Sequence, residues 1–300
     1  MKRFVTAIVC VLLFCADSSA APVKKISGTE MMGYVKGVEG KSDSGRHAFI
    51  ERMLTGFGVR FDTISFDAPT SSAAGAAVIH GQNIIVHMGH GKEKIVLGAH
   101  VDAVPKAPGA NDDGSGVAVV LEILKNCRTQ HFTHAVDFCF FDREEDGLVG
   151  SSVYVRTRDT SFTYAAMINL DIEGTGEEVY VGSVEPGKND ALMKYVHAAR
   201  DSTRYLYTES EHYPESDHES FNAAGLQNIS ISIVAKGDGT KLTKWVESGF
   251  APIKNQADMP VVLNVMHTTE DKSIYMTPDA LEKSYTFTWL TLWGFDGGEK

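Results

Sequence analysis

The chain is poor in cysteine, with four in 300 residues, and in basic residues, with 28 Lys and Arg against 39 Asp and Glu. Cys10 and Cys15 fall in the opening segment MKRFVTAIVCVLLFCADSSA, so only Cys127 and Cys139 could pair elsewhere, which excludes a disulfide-stapled scaffold. Cys127 ends a helix that begins near Gly114, and Cys139 stands late in the strand HAVDFCFF, which runs away from that helix end. At about 3.3 Å per strand residue their sulfurs are too far apart, so two buried thiols are expected. Basic runs are missing, which excludes nucleic acid and anionic membranes as partners. Beyond residue 20 there is no apolar run long enough for a membrane helix, no internal repeat and no low-complexity segment. Hydrophobic content of 43% with ordinary Gly and Pro then places the chain among folded globular proteins.

The opening segment has a basic tip, an apolar stretch too short to span a bilayer comfortably, and small residues before Ala20. It reads as a signal peptide over residues 1–20, cleaved after Ala20, followed by one domain over 21–300 in an exported protein, periplasmic or extracellular. Large residues, Val9 and Phe14, precede the two cysteines there, which weighs against lipid attachment. Losing Lys2, Arg3 and Asp17 removes two positive charges and one negative, so the net charge moves from −11 to −12. Such acidity suits metal cations and substrates that carry an ammonium group.

Periodicity lays out an α/β order. Helices are predicted around TEMMGYVKGV and GRHAFIERMLTGFG, the second closed by Gly56 and Gly58. Strand-like alternation follows in VRFDTISF and in AAVIHGQNIIVHM, with His80-Gly81-Gln82-Asn83 read as a hairpin turn. KIVLGA, the helix after Gly114 and HAVDFCFF make a β-α-β unit whose nearly continuous apolar strands signal cover on both faces. Further strands are expected at AAMINLDI, EVYVGS and NISISIV, with helices near DALMKYVHAARD and TKLTKWVES. A last helix opens at Thr277-Pro278-Asp279, a cap followed by proline, with Leu281, Tyr285, Trp289 and Leu292 on one face. The fold class is α/β: a single three-layer α/β/α domain on a mixed, mostly parallel central sheet. In such sheets function collects beyond the carboxyl ends of the parallel strands.

Polar islands stand at those ends: His100-Val101-Asp102, Asn111-Asp112-Asp113, Arg143-Glu144-Glu145-Asp146, Asn169-Leu170-Asp171 and His267-Thr268-Thr269-Glu270-Asp271. Each alone has an ordinary reading as a hydrogen-bonded loop, a solvated turn or a helix cap. Converging on one sheet edge, they would repel unless cations neutralised them. Imidazole with carboxylates and no thiolate suits zinc and is compatible with cobalt or manganese; two ions fit the set better than one. In an extended segment residues i and i+2 point the same way, so Asp102 is placed to accept a hydrogen bond from the far nitrogen of His100.

The order and local sequence of GAHVDAVPKAPGANDDGSG, REEDGLVGS, NLDIEG, SDHESF and HTTED resemble the M28 zinc metallopeptidases of the bacterial leucyl-aminopeptidase type, over essentially the whole chain past the opening segment. The resemblance implies a zinc-exopeptidase fold holding two zinc ions. Carried over motif by motif, Asp112 would bridge both ions, His100 and Asp171 would hold one, and Glu145 and His267 the other. Glu144 would be the general base on a water shared by ions about 3.5 to 4 Å apart, with Asp102 supporting His100. The resemblance also implies a cis peptide bond from Asp112 to Asp113, where Gly114 and Gly116 leave the backbone room to turn. Tyr213 would donate to the developing oxyanion, although a core or surface tyrosine is an equally good reading. The implied activity is hydrolysis of peptides at a free amino end, by a monomer.

Two features depart from that pattern. Glu211 and Glu215 flank Tyr213 where some relatives carry cysteines. Glu173 stands near the expected mouth of the site, either as a solvated loop residue or, if it faces the pocket, as a selector for basic or small first residues. An M20-type carboxypeptidase is disfavoured, because residues 171–267 read as core elements and leave no room for its lid domain. A glutaminyl-cyclase-like acyltransferase working with one zinc is the nearer rival. The rival outside catalysis is a degenerate binding protein, which the complete ligand set and Glu144 argue against.

Overall fold

The computed structural model describes residues 26–69 and 78–297; the signal peptide expected at 1–20 lies outside them. The order of elements is α1 Gly28–Val38, α2 Asp43–Gly56, β1 Asp62–Pro69, β2 Val78–Met88, β3 Glu93–His100, α3 Gly114–Cys127, β4 Ala135–Phe141 and α4 Val149–Thr157. There follow β5 Thr163–Leu170, β6 Glu178–Gly182, α5 Asp190–Thr203, β7 Leu206–Glu209, α6 His218–Ala223, β8 Asn228–Val234, α7 Asp238–Glu247 and α8 Pro278–Asp296. Caps open several of the helices: the side chains of Ser27, Ser42 and Thr277 accept from backbone N–H groups in the first turns of α1, α2 and α8.

The eight strands form one sheet in the order β1-β2-β4-β3-β5-β8-β6-β7. Its centre, β4-β3-β5-β8, is parallel, while β2 and β6 run against it on the two flanks. Alternate residues of the central strands divide between two cores. Ile95, Leu97 and Ala99 of β3 pack with α1, α2, α3, α5 and α8, whereas Val96 packs with Tyr154 of α4 and Phe221 of α6. This is the expected three-layer α/β/α arrangement, and it sends the carboxyl ends of β3, β4 and β5 to one edge. Leu281, Tyr285, Trp289 and Leu292 of α8 are all buried, and Cys127 and Cys139 are buried free thiols.

The hairpin expected at residues 80–83 is not there. β2 runs straight through that stretch and pairs along β1, from Val78 opposite Pro69 to Ile85 opposite Asp62. Gly81 serves a close approach instead of a turn, since a Cβ there would come within 2.3 Å of the Phe66 ring. The neighbouring polar groups serve distant partners. Gln82 donates its N–H to Asp142 at 2.9 Å, and the Asn83 amide bonds both Gly150 and the N–H of Asp142.

Candidate metal centre

All five expected ligands meet at the carboxyl edge of the parallel strands. His100 ends β3, Glu144 and Glu145 follow β4, Asp171 follows β5, Asp112 precedes α3, and His267 sits in the loop before α8. His100 Nε2 lies 3.0 Å from Asp112 Oδ1 and 3.8 Å from Asp171 Oδ1, while His267 Nε2 lies 3.1 Å from Asp112 Oδ2 and 3.3 Å from Glu145 Oε2. Two ligand groups therefore share Asp112: His100-Asp112-Asp171 and Asp112-Glu145-His267. Within them Glu145 Oε1 and Asp171 Oδ1 are buried with no hydrogen-bond partner among the described residues. Unpartnered buried carboxylate oxygens beside imidazoles are what a divalent cation satisfies, so the donor set fits zinc.

The backbone holding these side chains is tied down from several sides. Asp113, joined to Asp112 by the cis peptide bond, caps α3 through Gly116 N–H at 2.8 Å and also accepts from the N–H groups of His100 and Ile172. One carboxylate thereby links the segments bearing three ligands. Asp271 takes the N–H of Asn111 at 2.8 Å and of Asp112 at 3.2 Å. Arg46, fully buried on α2, donates to the carbonyls of Val101, Pro108 and Gly109 at 2.7 to 3.0 Å, bracing the loop between His100 and Asp112. Gly109 has φ +63°, and a Cβ there would run into the Arg46 guanidinium. Arg143, Ile172 and His267 also have positive φ, a backbone region that disfavours side-chain-bearing residues and is often found at functional sites.

Asp102 does a second job beside the one expected. Its carboxylate lies 3.6 Å from His100 Nδ1, longer than a direct hydrogen bond, and its oxygens accept the backbone N–H groups of Glu144 at 3.0 Å and Glu145 at 3.1 Å. It sets the segment that carries both glutamates. Tyr213 is buried against the site, but its hydroxyl donates to the carbonyl of Asp171 at 3.2 Å and bonds Ser232. Glu173 fits neither of its two readings: it is fully buried beneath the site, does not line the pocket, and accepts from the N–H of Asp171 at 3.2 Å. Its proposed role in selecting basic or small first residues falls with that placement.

The electrostatics are those of an acidic cage. Burial disfavours a charged His100 imidazole, yet Glu144, Asp102 and Asp112 outweigh it and hold its pKa well above the usual range. His267 is pushed up to about 10, chiefly by its contact with Asp112. The two imidazoles in turn overcome burial and hold Asp112 below the ordinary carboxylate range. Glu144 goes the other way: burial first, then repulsion from Asp217, Asp171 and Asp112, raises its pKa well above normal. Arg46, Asp217 and Asp271 were not singled out by sequence reasoning. Asp271 closes the HTTED motif and Asp217 stands within SDHESF, so a signal existed for both; Arg46 left none.

The ligands floor a cavity of about 370 Å³ whose walls include Ile172, Tyr180, Leu242, Trp245, Val262 and Met266. Fold and site together define a class: an α/β/α protein with a cluster of imidazoles and carboxylates fitted to metal, opening on an apolar pocket. The model of Peptidase family M28 matches residues 83–291, and the chain belongs to that family. A probable lipoprotein aminopeptidase, LpqL, of Mycobacterium tuberculosis (strain ATCC 25618 / H37Rv) is 29% identical over 188 residues, covering 55% of this chain and 35% of its own length. The chain spans about a third of the length of this relative and of the aminopeptidase YwaD of Bacillus subtilis. Among solved structures, a zinc aminopeptidase from Bacillus subtilis aligns with TM-score 0.71 at 16% identity, over 89% of this chain and 95% of that one. The glutaminyl cyclase of Porphyromonas gingivalis aligns with TM-score 0.67 at 22% identity, over 89% and 97%. At those identities the likeness is one of fold.

Proposed function

We propose that the chain is an exported aminopeptidase that works with two zinc ions and hydrolyses the first bond of peptides with a free amino end. One observation carries the reading: two ligand groups share Asp112 on the floor of an apolar cavity, with Glu144 beside them. His100, Asp112 and Asp171 would hold one ion, and Asp112, Glu145 and His267 the other; cobalt or manganese suit the same donors. Bound there, the ions would supply Lewis acidity and a water whose pKa falls from about 15.7 towards 7.

The chain's own residues supply the rest. Asp102 fixes the backbone at Glu144, whose side chain lines the cavity. The Glu144 carboxylate stands there beside both ligand groups, placed to take a proton from the attacking water and hand it to the leaving amine, a role worth about 10² to 10⁴ in rate. Tyr213 holds the carbonyl of Asp171 and so steadies a ligand; a direct contact with the oxyanion would require that bond to loosen. The cavity walls suit an apolar first side chain, and its acidic floor suits the substrate's α-ammonium. Every one of these groups comes from one chain, so the site is complete without a second copy, and the opening segment supports export.

The test is metal analysis of the purified protein with a panel of free and N-blocked aminoacyl anilides. About two zinc per chain and cleavage of free anilides alone are expected. Equal cleavage of blocked substrates would remove the aminopeptidase reading, and one zinc with cyclisation of Gln-initiated peptides would replace it by the acyltransferase.

A further inference from the structure

We propose that the cleft behind Tyr213 is a subsite for a basic side chain, so that peptides with lysine or arginine at the second or third position are the preferred substrates. The proposal rests on the aminopeptidase reading above. This cleft, about 520 Å³, shares Tyr213, Glu215 and Phe250 with the main cavity. Tyr213 ties the two together: its hydroxyl donates to the carbonyl of Asp171 at 3.2 Å, and its ring packs, 5.3 Å between centres, against that of His218, which lines the cleft. One side chain therefore separates a candidate ligand from the cleft wall. The apolar main cavity suits the first side chain of a peptide, which leaves the adjoining cleft for a later one.

The full lining is acidic. It carries four carboxylates, Glu185, Glu211, Glu215 and Glu219, two imidazoles, His212 and His218, and no Lys or Arg. Two of the carboxylates are committed. Glu185 pairs at 3.0 Å with Lys188, which stands outside the lining and also bonds Asn222; Glu219 lies 3.3 Å from His218 Nε2 and accepts from Asn222 at 3.4 Å. Glu211 and Glu215 are exposed, and among the described residues neither side chain makes an ion pair or hydrogen bond. An independent feature of the cleft also calls for a donor. His218 is only 1% exposed, and its Nδ1 has no hydrogen-bond partner among the described residues. With Nε2–H directed at Glu219, Nδ1 is left as a buried acceptor, and an N–H group brought into the cleft supplies what it lacks. Val246 and the half-exposed Phe250 offer apolar surface to the alkyl stem of a lysine or arginine. Among the described residues no three imidazole or carboxylate donors of this cleft converge within 4.8 Å, so its spread acceptors suit an organic cation better than a bare metal ion.

The experiment uses Leu-Arg-Gly-Gly and Leu-Gly-Arg-Gly, each beside a counterpart with citrulline, the neutral isostere, in place of arginine, and leucine p-nitroanilide as a substrate that does not reach the cleft. The zinc-loaded wild type is compared with the double variant Glu211→Gln, Glu215→Gln. In the wild type arginine is expected to exceed citrulline about three- to ten-fold in kcat/KM at one of the two positions, mainly through KM, an effect of the size two exposed ion pairs supply. The ratio should fall to about one in the variant and shrink in the wild type in about 0.5 M salt. Because the ratio is taken within each protein, a general change in activity cancels. A wild type that cleaves the anilide but treats arginine and citrulline alike at both positions overturns the subsite and leaves the aminopeptidase reading standing. A preference that survives in the variant overturns it too, since the acidity of the whole chain would then be its source. Failure of the wild type to cleave any of these substrates overturns both readings.

Discussion

β3 and β4 carry buried charge at both ends, and the two ends treat it in opposite ways. At the amino ends Lys94 donates to Asp137 Oδ2 at 2.9 Å, Tyr154 donates to the same oxygen at 2.7 Å, and His87 Nδ1 lies 2.7 Å from Oδ1. Lys94 also sits 4.3 Å from the centre of the Phe162 ring. Every charge there is answered from within the chain. At the carboxyl ends His100, Asp112, Glu144, Glu145 and Asp171 crowd together, carboxylates outnumber imidazoles, and buried oxygens are left without partners among the described residues. The same two strands show that this fold can compensate buried charge with its own side chains. The acidic surplus at the other end is thus directed at something from outside, which supports reading it as a cation and substrate site.

The contrast makes substitutions at the two ends act on different quantities. Glu144→Gln should lower kcat by about 10² to 10⁴. In the metal-stripped protein the same change should leave the melting temperature unchanged or raise it, because burial and neighbouring carboxylates already disfavour a charge at Glu144. Marked destabilisation of the stripped variant would mean that the chain does compensate this charge internally. At the other end Asp137→Ala strands a buried lysine and should cost about 3 to 5 kcal/mol in urea unfolding. The refolded variant should keep kcat within about two-fold, since Asp137 lies at the opposite end of β4 from the site. A loss of activity exceeding the loss of folded protein would break the division between the two ends. Arg46→Met comes next. Removing three hydrogen bonds to buried carbonyls should cost about 2 to 3 kcal/mol and also weaken metal retention under a chelator, because the loop Arg46 braces leads to Asp112. Unchanged metal retention would make Arg46 a stabilising residue only.

The framework was legible because burial on both faces writes itself into composition. KIVLGA, HAVDFCFF and NISISIV all emerge as central strands, and the capped α8 begins where Thr277-Pro278 announces it. That the five candidate ligands would come together was legible because each follows a strand end or opens a loop in a recognisable order. What escaped were residues whose work is done by long-range hydrogen bonds. Gln82 and Asn83 look like a turn until Asp142 and Gly150 are brought beside them. Arg46 looks like a surface residue of an amphipathic helix until the loop at 101–109 closes over it. Glu173 looks solvated because local sequence does not show that Ser115 and Asp171 enclose it. Polar residues with distant partners have no period of their own.

The smallest effect is the pH dependence of the amino-end network, and its sign follows from its two titrating groups. Burial alone would raise the Asp137 pKa, but His87, Tyr154 and Lys94 outweigh it and leave it below the ordinary value. Its stabilising contribution is therefore present above about pH 4 and lost as pH falls through the depressed folded pKa. His87 is raised, chiefly by its bond to Asp137 and against the opposing effects of burial and Lys94, with Asp62 at 3.5 Å adding to the rise. Its contribution is complete below about pH 6.5 and lost as pH climbs through the raised folded pKa. Half of the His87 side chain is exposed, so solvent screening should keep that contribution below about 1 kcal/mol. Urea unfolding of metal-stripped wild type and His87→Gln at pH 5, 7 and 9 isolates it, because the metal-centre groups titrate alike in both proteins and cancel in the difference. The gap between the two should be widest at pH 5 and close by pH 9. A gap that widens with pH would mean that neutral His87 is the form the network holds, and that the amino end is compensated by Lys94 and Tyr154 alone.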